Sequence, residues 1–376
     1  MAHWRLPLSR GGGRWLSALL VAAVFDRESG GCGMESSCDL IWFRRDLRLS
    51  DNDLLAVEPH AETLLCVFVL EPSWLEDTPP AVPQWALLWQ SLIDLRGALL
   101  TRGSDLLVCV GEPEQLLPRL VQRIGAQRVI THAMEGANEC ATTRRVQAAL
   151  APDQLCVLPD SPLFPAHHDD TGTRELSFGE FVALSRGRSA LAPRSPGQPV
   201  TLPPWPHDAP RGLPSLGSLL GDVEPLRATI SGGEPAAQAR LRQLRDAPAD
   251  WAPEDVRALL RWRALGCVSA RQLYAVCERL DIPAGAESPQ RYLRHELLWH
   301  EYLRRQQVHG IDVSRFQSPC IDPSGGREPS FLRADAATDA QLAGATTALR
   351  QETPRHLEPT PTAPPRRSTG SWFDRY

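Results

Sequence analysis

Apolar and polar positions along this chain follow two periods. Short apolar runs bounded by polar residues stand at 39–43, 64–70, 105–110, 128–132 and 154–158, the lengths expected of buried strands. Between the second and third of these, Trp85, Leu88, Leu92, Leu95 and Leu99 recur at spacings of three and four, which predicts a helix with one buried stripe. Leu116, Leu117, Leu120, Val121 and Ile124 repeat that pattern before the fourth run. Alternation of strand and helix requires crossovers, and therefore a parallel sheet with helices on both faces. The expected fold class is α/β, a doubly wound parallel sheet, with a helical region after it.

The change comes at 186–225, where APRSPGQPVTLPPWPHDAPRGLP is too rich in Pro and Gly to form a helix or a sheet interior. This stretch reads as an interdomain linker wrapped over the surface. Helical signals then hold from 226 to 316. GGEPAAQARLRQL opens them, and WRALGCVSARQLYAVCERL follows with Leu265, Val268, Leu273 and Val276 as core candidates. Ser288 and Pro289 supply a cap and first residue for a helix over 290–307 that contains RYLRHELLWHEYLRR. Residues 317–376 lack sustained periodicity and read as a disordered tail. At the other end, RWLSALLVAAVF superficially resembles a secretory leader. It is too short to span a bilayer, and no small-residue cleavage pattern follows it. Residues 1–37 are therefore read as a disordered leader, 38–185 as the α/β domain, and 226–316 as a partial helical domain.

The net charge of -5 hides an asymmetry, with 10 Arg against 17 acidic residues over 38–165 and 14 against 11 over 226–316. A polyanionic partner such as DNA is expected to meet the second half. All 40 basic residues are Arg, and the uniformity of that bias along the whole chain argues for composition over local selection. The nine cysteines are scattered without a C-x-x-C pair, which argues against zinc and against a disulfide framework. Cys66 and Cys109 lie inside apolar runs and are expected in the core of a protein of a reducing, cytoplasmic compartment. No G-x-G-x-x-G follows the first strand, which argues against an ordinary dinucleotide site there.

Candidate chemistry lies in two places. In the last helix, Tyr292, Glu296, Trp299 and Leu303 share a face. A carboxylate between aromatics is costly unless partnered or protonated, so the Glu296 pKa is expected to rise and the residue becomes a functional candidate. From spacing alone, the plainer reading pairs Glu296 with Arg294, Arg304 or an Arg of the preceding helix. His295 and His300 do not make an H-E-x-x-H site, because residues five apart stand about 140° apart on a helix. No metal is expected. The second place is the end of the first strand. There Arg44, Arg45 and Arg48 either face a ligand or are neutralised by Asp46 and Asp51 in a structural network, and the residue types do not decide between the two.

WFRRDLRLSDN (42–52) resembles the opening of the photolyase/cryptochrome family. GGEPAAQARL is similar to the family's GGE-x-A-A-x-x-R-L, WRALGCVSARQLY to its W-x-A-x-G-x-x-S-x-R-x-x-Y, and HELLWHEYL to its E-L-L-W-R-D-F-F. The resemblance covers about 38–316 and is closest to the DASH-type branch. It implies a photolyase-type α/β domain followed by a helical FAD-binding domain, with FAD as cofactor and often an antenna pterin or flavin, whose site no residue here locates. It also implies blue-light-dependent repair of pyrimidine dimers in DNA, or light sensing. Carried over by motif, Glu296 becomes the catalytic, substrate-contacting acid and Trp299 the platform for damaged bases, with His300 in the substrate site where the family has Arg. The sequence departs from the family at the flavin phosphates, where VRALLRW replaces T-S-x-L-S-P, so cofactor-binding residues are not assigned. The second half of the flavin domain is expected after 316, where the tail stands instead. A non-catalytic α/β binding or signalling module with a degenerate helical remnant is the alternative reading.

Overall fold

A computed structural model describes residues 37–308 apart from 57–60, 73–81, 135, 166–176, 187, 195–200, 215–229, 248–249 and 280–287. The leader and tail readings for 1–36 and 317–376 fall outside the described residues.

Strands β1 (Cys38–Phe43), β2 (Thr63–Leu70), β3 (Leu107–Val110), β4 (Ala126–His132) and β5 (Leu155–Leu158) form one parallel sheet in the order β3-β2-β1-β4-β5. The doubly wound α/β expectation is met. β1 is buried along its whole length and β2 from Leu64 onward, as expected of central parallel strands covered on both faces. The third strand starts later than its apolar run because Asp105 turns its carboxylate to Leu106 N (2.8 Å) and to Arg96 Nε (2.6 Å). Short α1 (Asp53–Ala56) follows β1, and α2 (Val82–Leu100) crosses from β2 to β3. In α2 the stripe Trp85, Leu88, Leu92, Leu95 and Leu99 is at most 3% exposed, each side chain contributing roughly 1.5–3 kcal/mol by burial. α3 (Pro113–Ile124) and α4 (Ala137–Ala149) complete the layers.

Besides α4, the helix α5 (Phe178–Ser185) escaped the periodicity. It is short, but its signal was present as a capping box: Ser177 Oγ accepts from Glu180 N (3.3 Å) and Glu180 Oε2 accepts from Ser177 N (2.9 Å).

The linker differs from a strap lying over the surface. Leu64 N donates to Pro204 O (3.0 Å), Leu202 N to Arg102 O (3.0 Å) and Val108 N to Gly212 O (3.0 Å). Leu202, Trp205 and Ala209 are buried, so this segment covers the β3 edge of the sheet and seals its backbone groups.

After it come α6 (Glu234–Asp246), α7 (Pro253–Leu265), α8 (Ala270–Glu278) and α9 (Pro289–Val308). Leu265, Val268, Leu273 and Val276 are buried as expected. Among the described residues no helix is long and apolar enough to cross a membrane.

Candidate functional site

The loop after β1 is where separated motifs meet. Leu47 N donates to Leu265 O (3.2 Å), at the end of α7. The Arg48 side chain is fully buried, with Nη1 donating to Gly266 O (3.2 Å), Nε and Nη2 to Asp51 O (3.3 and 3.1 Å), and Nη2 to Ser161 Oγ (2.7 Å) and Asp160 Oδ1 (3.4 Å). A guanidinium survives in the interior only with its donors matched in this way. Burial alone would raise the Asp160 carboxyl, yet Arg263, His132 and Arg48 together hold it well below the usual carboxylate range.

Asp51 adopts a left-handed φ of 51°, a conformation that Asp tolerates better than most residues. Its carboxylate accepts from Ser269 Oγ, Arg271 Nε (3.1 Å) and Arg194 N (2.8 Å). Glu234, the first residue of α6, accepts from Leu49 N (2.7 Å), Ser50 N (3.0 Å) and Ser50 Oγ. Gly266 has φ 77°, and a Cβ there would stand 2.0 Å from Arg45 O, so only glycine lets α7 approach the loop this closely. Two of the motifs singled out in the sequence, GGEPAAQARL and WRALGCVSARQLY, are thus partners of the first. Arg48 belongs to a structural network, which settles its open alternative.

Arg44 and Arg45 belong to a second feature, a small cleft with room for little more than a water molecule between the side chains that line it. It lies at the carboxyl ends of β1, β2 and β4, beside the point where strand order reverses, which is where α/β sheets take ligands. Trp42, Arg44, Arg45, Glu71, Met134 and Glu139 line it. Arg44 stacks over Trp42 at 4.5 Å and donates to Thr143 Oγ1 (2.8 Å) and Glu139 O (3.2 Å), while Arg45 pairs with the Glu139 carboxylate. Burial pushes the Glu71 carboxyl up to about 7 against the pull of Arg44, with Glu112 and Glu139 adding to the rise. Burial also lowers Arg44 to about 10, despite the nearby Glu71 and Glu139.

The residues expected to do chemistry sit on α9. Glu296 is 1% exposed and Trp299 6%. Burial and the Glu296 charge push the Tyr292 hydroxyl up to about 12, so the two side chains share a buried environment as their spacing required. The Trp299 indole meets Phe178 of α5 edge-on at 5.0 Å and Tyr302 at 5.4 Å. His295 also packs edge-on against Phe178 at 5.0 Å, and burial, with Arg291 nearby, lowers its pKa to about 4. His300, one turn beyond Glu296, is partly buried. Among the described residues no cluster of His, Cys, Asp or Glu is arranged to hold a metal ion. Sequence reasoning missed Phe178, because it belongs to α5.

Residues 39–179 match the family model for DNA photolyase. A cryptochrome DASH of Gloeobacter violaceus is 31% identical over 304 residues, 72% of this chain and 59% of that protein. The chain belongs to the photolyase/cryptochrome family. A deoxyribodipyrimidine photo-lyase of Synechococcus sp. is 28% identical over 72% of this chain and 60% of its own length. The solved cryptochrome of Synechocystis sp. PCC6803 superposes with a TM-score of 0.58 at 22% identity, over 78% of this chain and 65% of that one. The chain therefore spans about three-fifths of the length of the curated relatives it matches. Members of the family bind FAD, and its photolyases act on DNA.

The segment that stands where the family has its flavin-phosphate run offers those phosphates no hydroxyl donor. VRALLRW forms the body of α7, where Val256 and Leu259 are buried and no hydroxyl side chain is available. The Asp255 carboxylate already accepts from Ala252 N (2.9 Å) and Arg240 Nε (2.8 Å) at the start of that helix, and a negative group at the start of a helix repels an anion.

Proposed function

We propose that this photolyase/cryptochrome-like chain acts on DNA in blue-light-dependent repair of pyrimidine dimers or in light sensing, in the cytoplasm. Glu296 is the acid that contacts the substrate, Trp299 the stacking platform and His300 a flanking substrate contact. Phosphate contacts come from the Arg-rich helical half, where Arg242, Arg279 and Arg291 are exposed. FAD and an antenna pterin are part of this reading through the family alone. The supporting observation is the convergence of two family motifs on the loop at 44–52, which ties α6, α7 and α8 to the α/β half, with α9 and its candidate residues packed on α7 and α8. The domain limits 38–185 and 226–316, with the linker between them, belong to the same proposal.

The test uses the purified full chain, its visible spectrum, and a dimer-containing oligonucleotide exposed to blue light. Flavin absorption together with light-dependent loss of the dimer is the expected result. A colourless protein that binds irradiated and unirradiated DNA equally would sink the reading. A second reading, an α/β binding or signalling module without catalysis, draws on the cleft beneath Arg44 and Glu71, which the α/β half builds from its own residues. A colourless chain that still binds a small molecule in that cleft would favour it.

A further inference from the structure

Segment 160–165 leaves β5 and is gripped from two sides. The loop after β1 holds it through Arg48, which donates to Asp160 Oδ1 (3.4 Å) and Ser161 Oγ (2.7 Å). α9 holds it through Glu301, whose Oε2 accepts from Leu163 N (3.2 Å), and through Arg305, whose Nη2 donates to Pro165 O (3.3 Å). Arg305 Nε also donates to Glu301 Oε1 (3.1 Å), and Arg304 adds bonds of 2.9 and 2.6 Å to the same carboxylate. The Arg305 guanidinium lies over the Phe181 ring of α5 at 5.8 Å. Both Glu301 and Arg305 are buried. Two residues before Glu301 stands Trp299, against Phe178 of the same α5.

We propose that Glu301, acting through Leu163 and Arg305, is the positioning residue that sets where Trp299 and Glu296 stand relative to the α/β half. The proposal rests on the reading that Trp299 and Glu296 meet a DNA lesion. A helix is a stiff rod advancing about 100° and 1.5 Å per residue, so Glu296, Trp299 and Glu301 move together if α9 turns or slides. The edge-on contact of Trp299 with Phe178 adds little beyond burial and holds no main-chain group, so it opposes either motion weakly. Glu301 instead bonds a main-chain amide that cannot rotate away, which opposes turning, while Arg305, one turn further on, bonds a second main-chain group, which opposes sliding. Because Arg48 grips the same segment, a shift of the loop after β1 is passed on to α9. Neither Glu301 nor Arg305 lies among the residues read as substrate contacts, so their part is placement.

The full chain labelled with 5-fluorotryptophan tests this, with the Trp299 resonance assigned by Trp299→Phe and those of Trp42 and Trp85 assigned likewise as references in the α/β half. In Glu301→Gln the Trp299 resonance should shift or split while Trp42 and Trp85 stay in place. The preference for irradiated over unirradiated oligonucleotide should fall about tenfold, with affinity for unirradiated DNA unchanged. A Trp299 resonance that does not move overturns the proposal. If Glu301→Gln fails to fold, seen as loss of the Trp42 and Trp85 resonances, Arg305→Lys replaces it, since the charge is kept and only the fork between Glu301 and Pro165 O is lost. A smaller displacement of Trp299 is then expected, and none would again overturn the proposal. A resonance that moves in a chain whose wild type has no preference for irradiated DNA would reject the lesion reading and leave the positioning role intact.

Discussion

In the α/β half, β1 and β2 bury apolar residues on both faces, and the charged groups stand at the two ends of the strands, Asp39 with Arg128 and Asp105 with Arg96 at the amino end and Arg44, Asp46 and Arg48 at the carboxyl end. In the helical half, α9 takes Glu296, Glu301, Arg305 and Gln306 into the interior. The first arrangement is self-sufficient, because burial needs no particular partner. The second depends on named partners, several of them in the other half: Leu163 N for Glu301, Pro165 O for Arg305 and, nearer the sheet, Asp51 for Arg271. This contrast teaches that the helical half takes its place from polar bonds to the loop after β1 and to segment 160–165. It should therefore loosen before the sheet does.

The largest effect is expected from Arg48→Ala. Removing this buried guanidinium leaves Gly266 O, Asp51 O and Ser161 Oγ without their donor and Asp160 with Arg263 as its remaining arginine, at a cost of roughly 3–5 kcal/mol. Thermal unfolding followed by far-ultraviolet circular dichroism should change from one transition to two, the helical half melting first. Leu65→Ala, in a fully buried position of β2, should cost about 2–5 kcal/mol through its cavity but keep a single transition, since the sheet supports both halves. If Leu65→Ala also separated the transitions, the contrast between the halves would be broken. Glu234→Ala removes a charged acceptor from Leu49 N and Ser50 N and should cost roughly 1.5–3 kcal/mol, measurable in urea titrations as a lower midpoint.

The smallest effect belongs to the cleft. The folded state holds the Glu71 proton up to about 7, against an ordinary 4.5. The stability this group contributes is complete below 4.5 and is lost as pH rises through about 7. Glu71→Gln should thus match the wild type at pH 4 and exceed it at pH 8, by a Tm gain of a few degrees or less. An equal difference at both pH values would show that Glu71 does not titrate in this window.

The sheet was legible in the sequence because local pattern is enough to define it. Each strand of the α/β half lies on its apolar run, with the third shortened by a side-chain bond of Asp105 that periodicity cannot express. The motif residues of α9 were legible too, since Glu296 and Trp299 are buried on the one helix as their spacing demanded. The meaning of Arg48 was not, because its acceptors Gly266 O and Ser161 Oγ stand 218 and 113 positions away in the chain. Glu301 escaped notice for a similar reason: its distant partner is a main-chain amide, and main-chain groups carry no residue signature.

Native-state hydrogen exchange on the wild type and Arg48→Ala tests the central claim, that the loop after β1 joins the two halves, most directly. The account predicts that amides of α7, α8 and α9 lose about 100-fold in protection, close to 2.8 kcal/mol, while those of β1, β2 and β4 keep theirs. Equal loss in both halves, or none in α7 to α9, would contradict it.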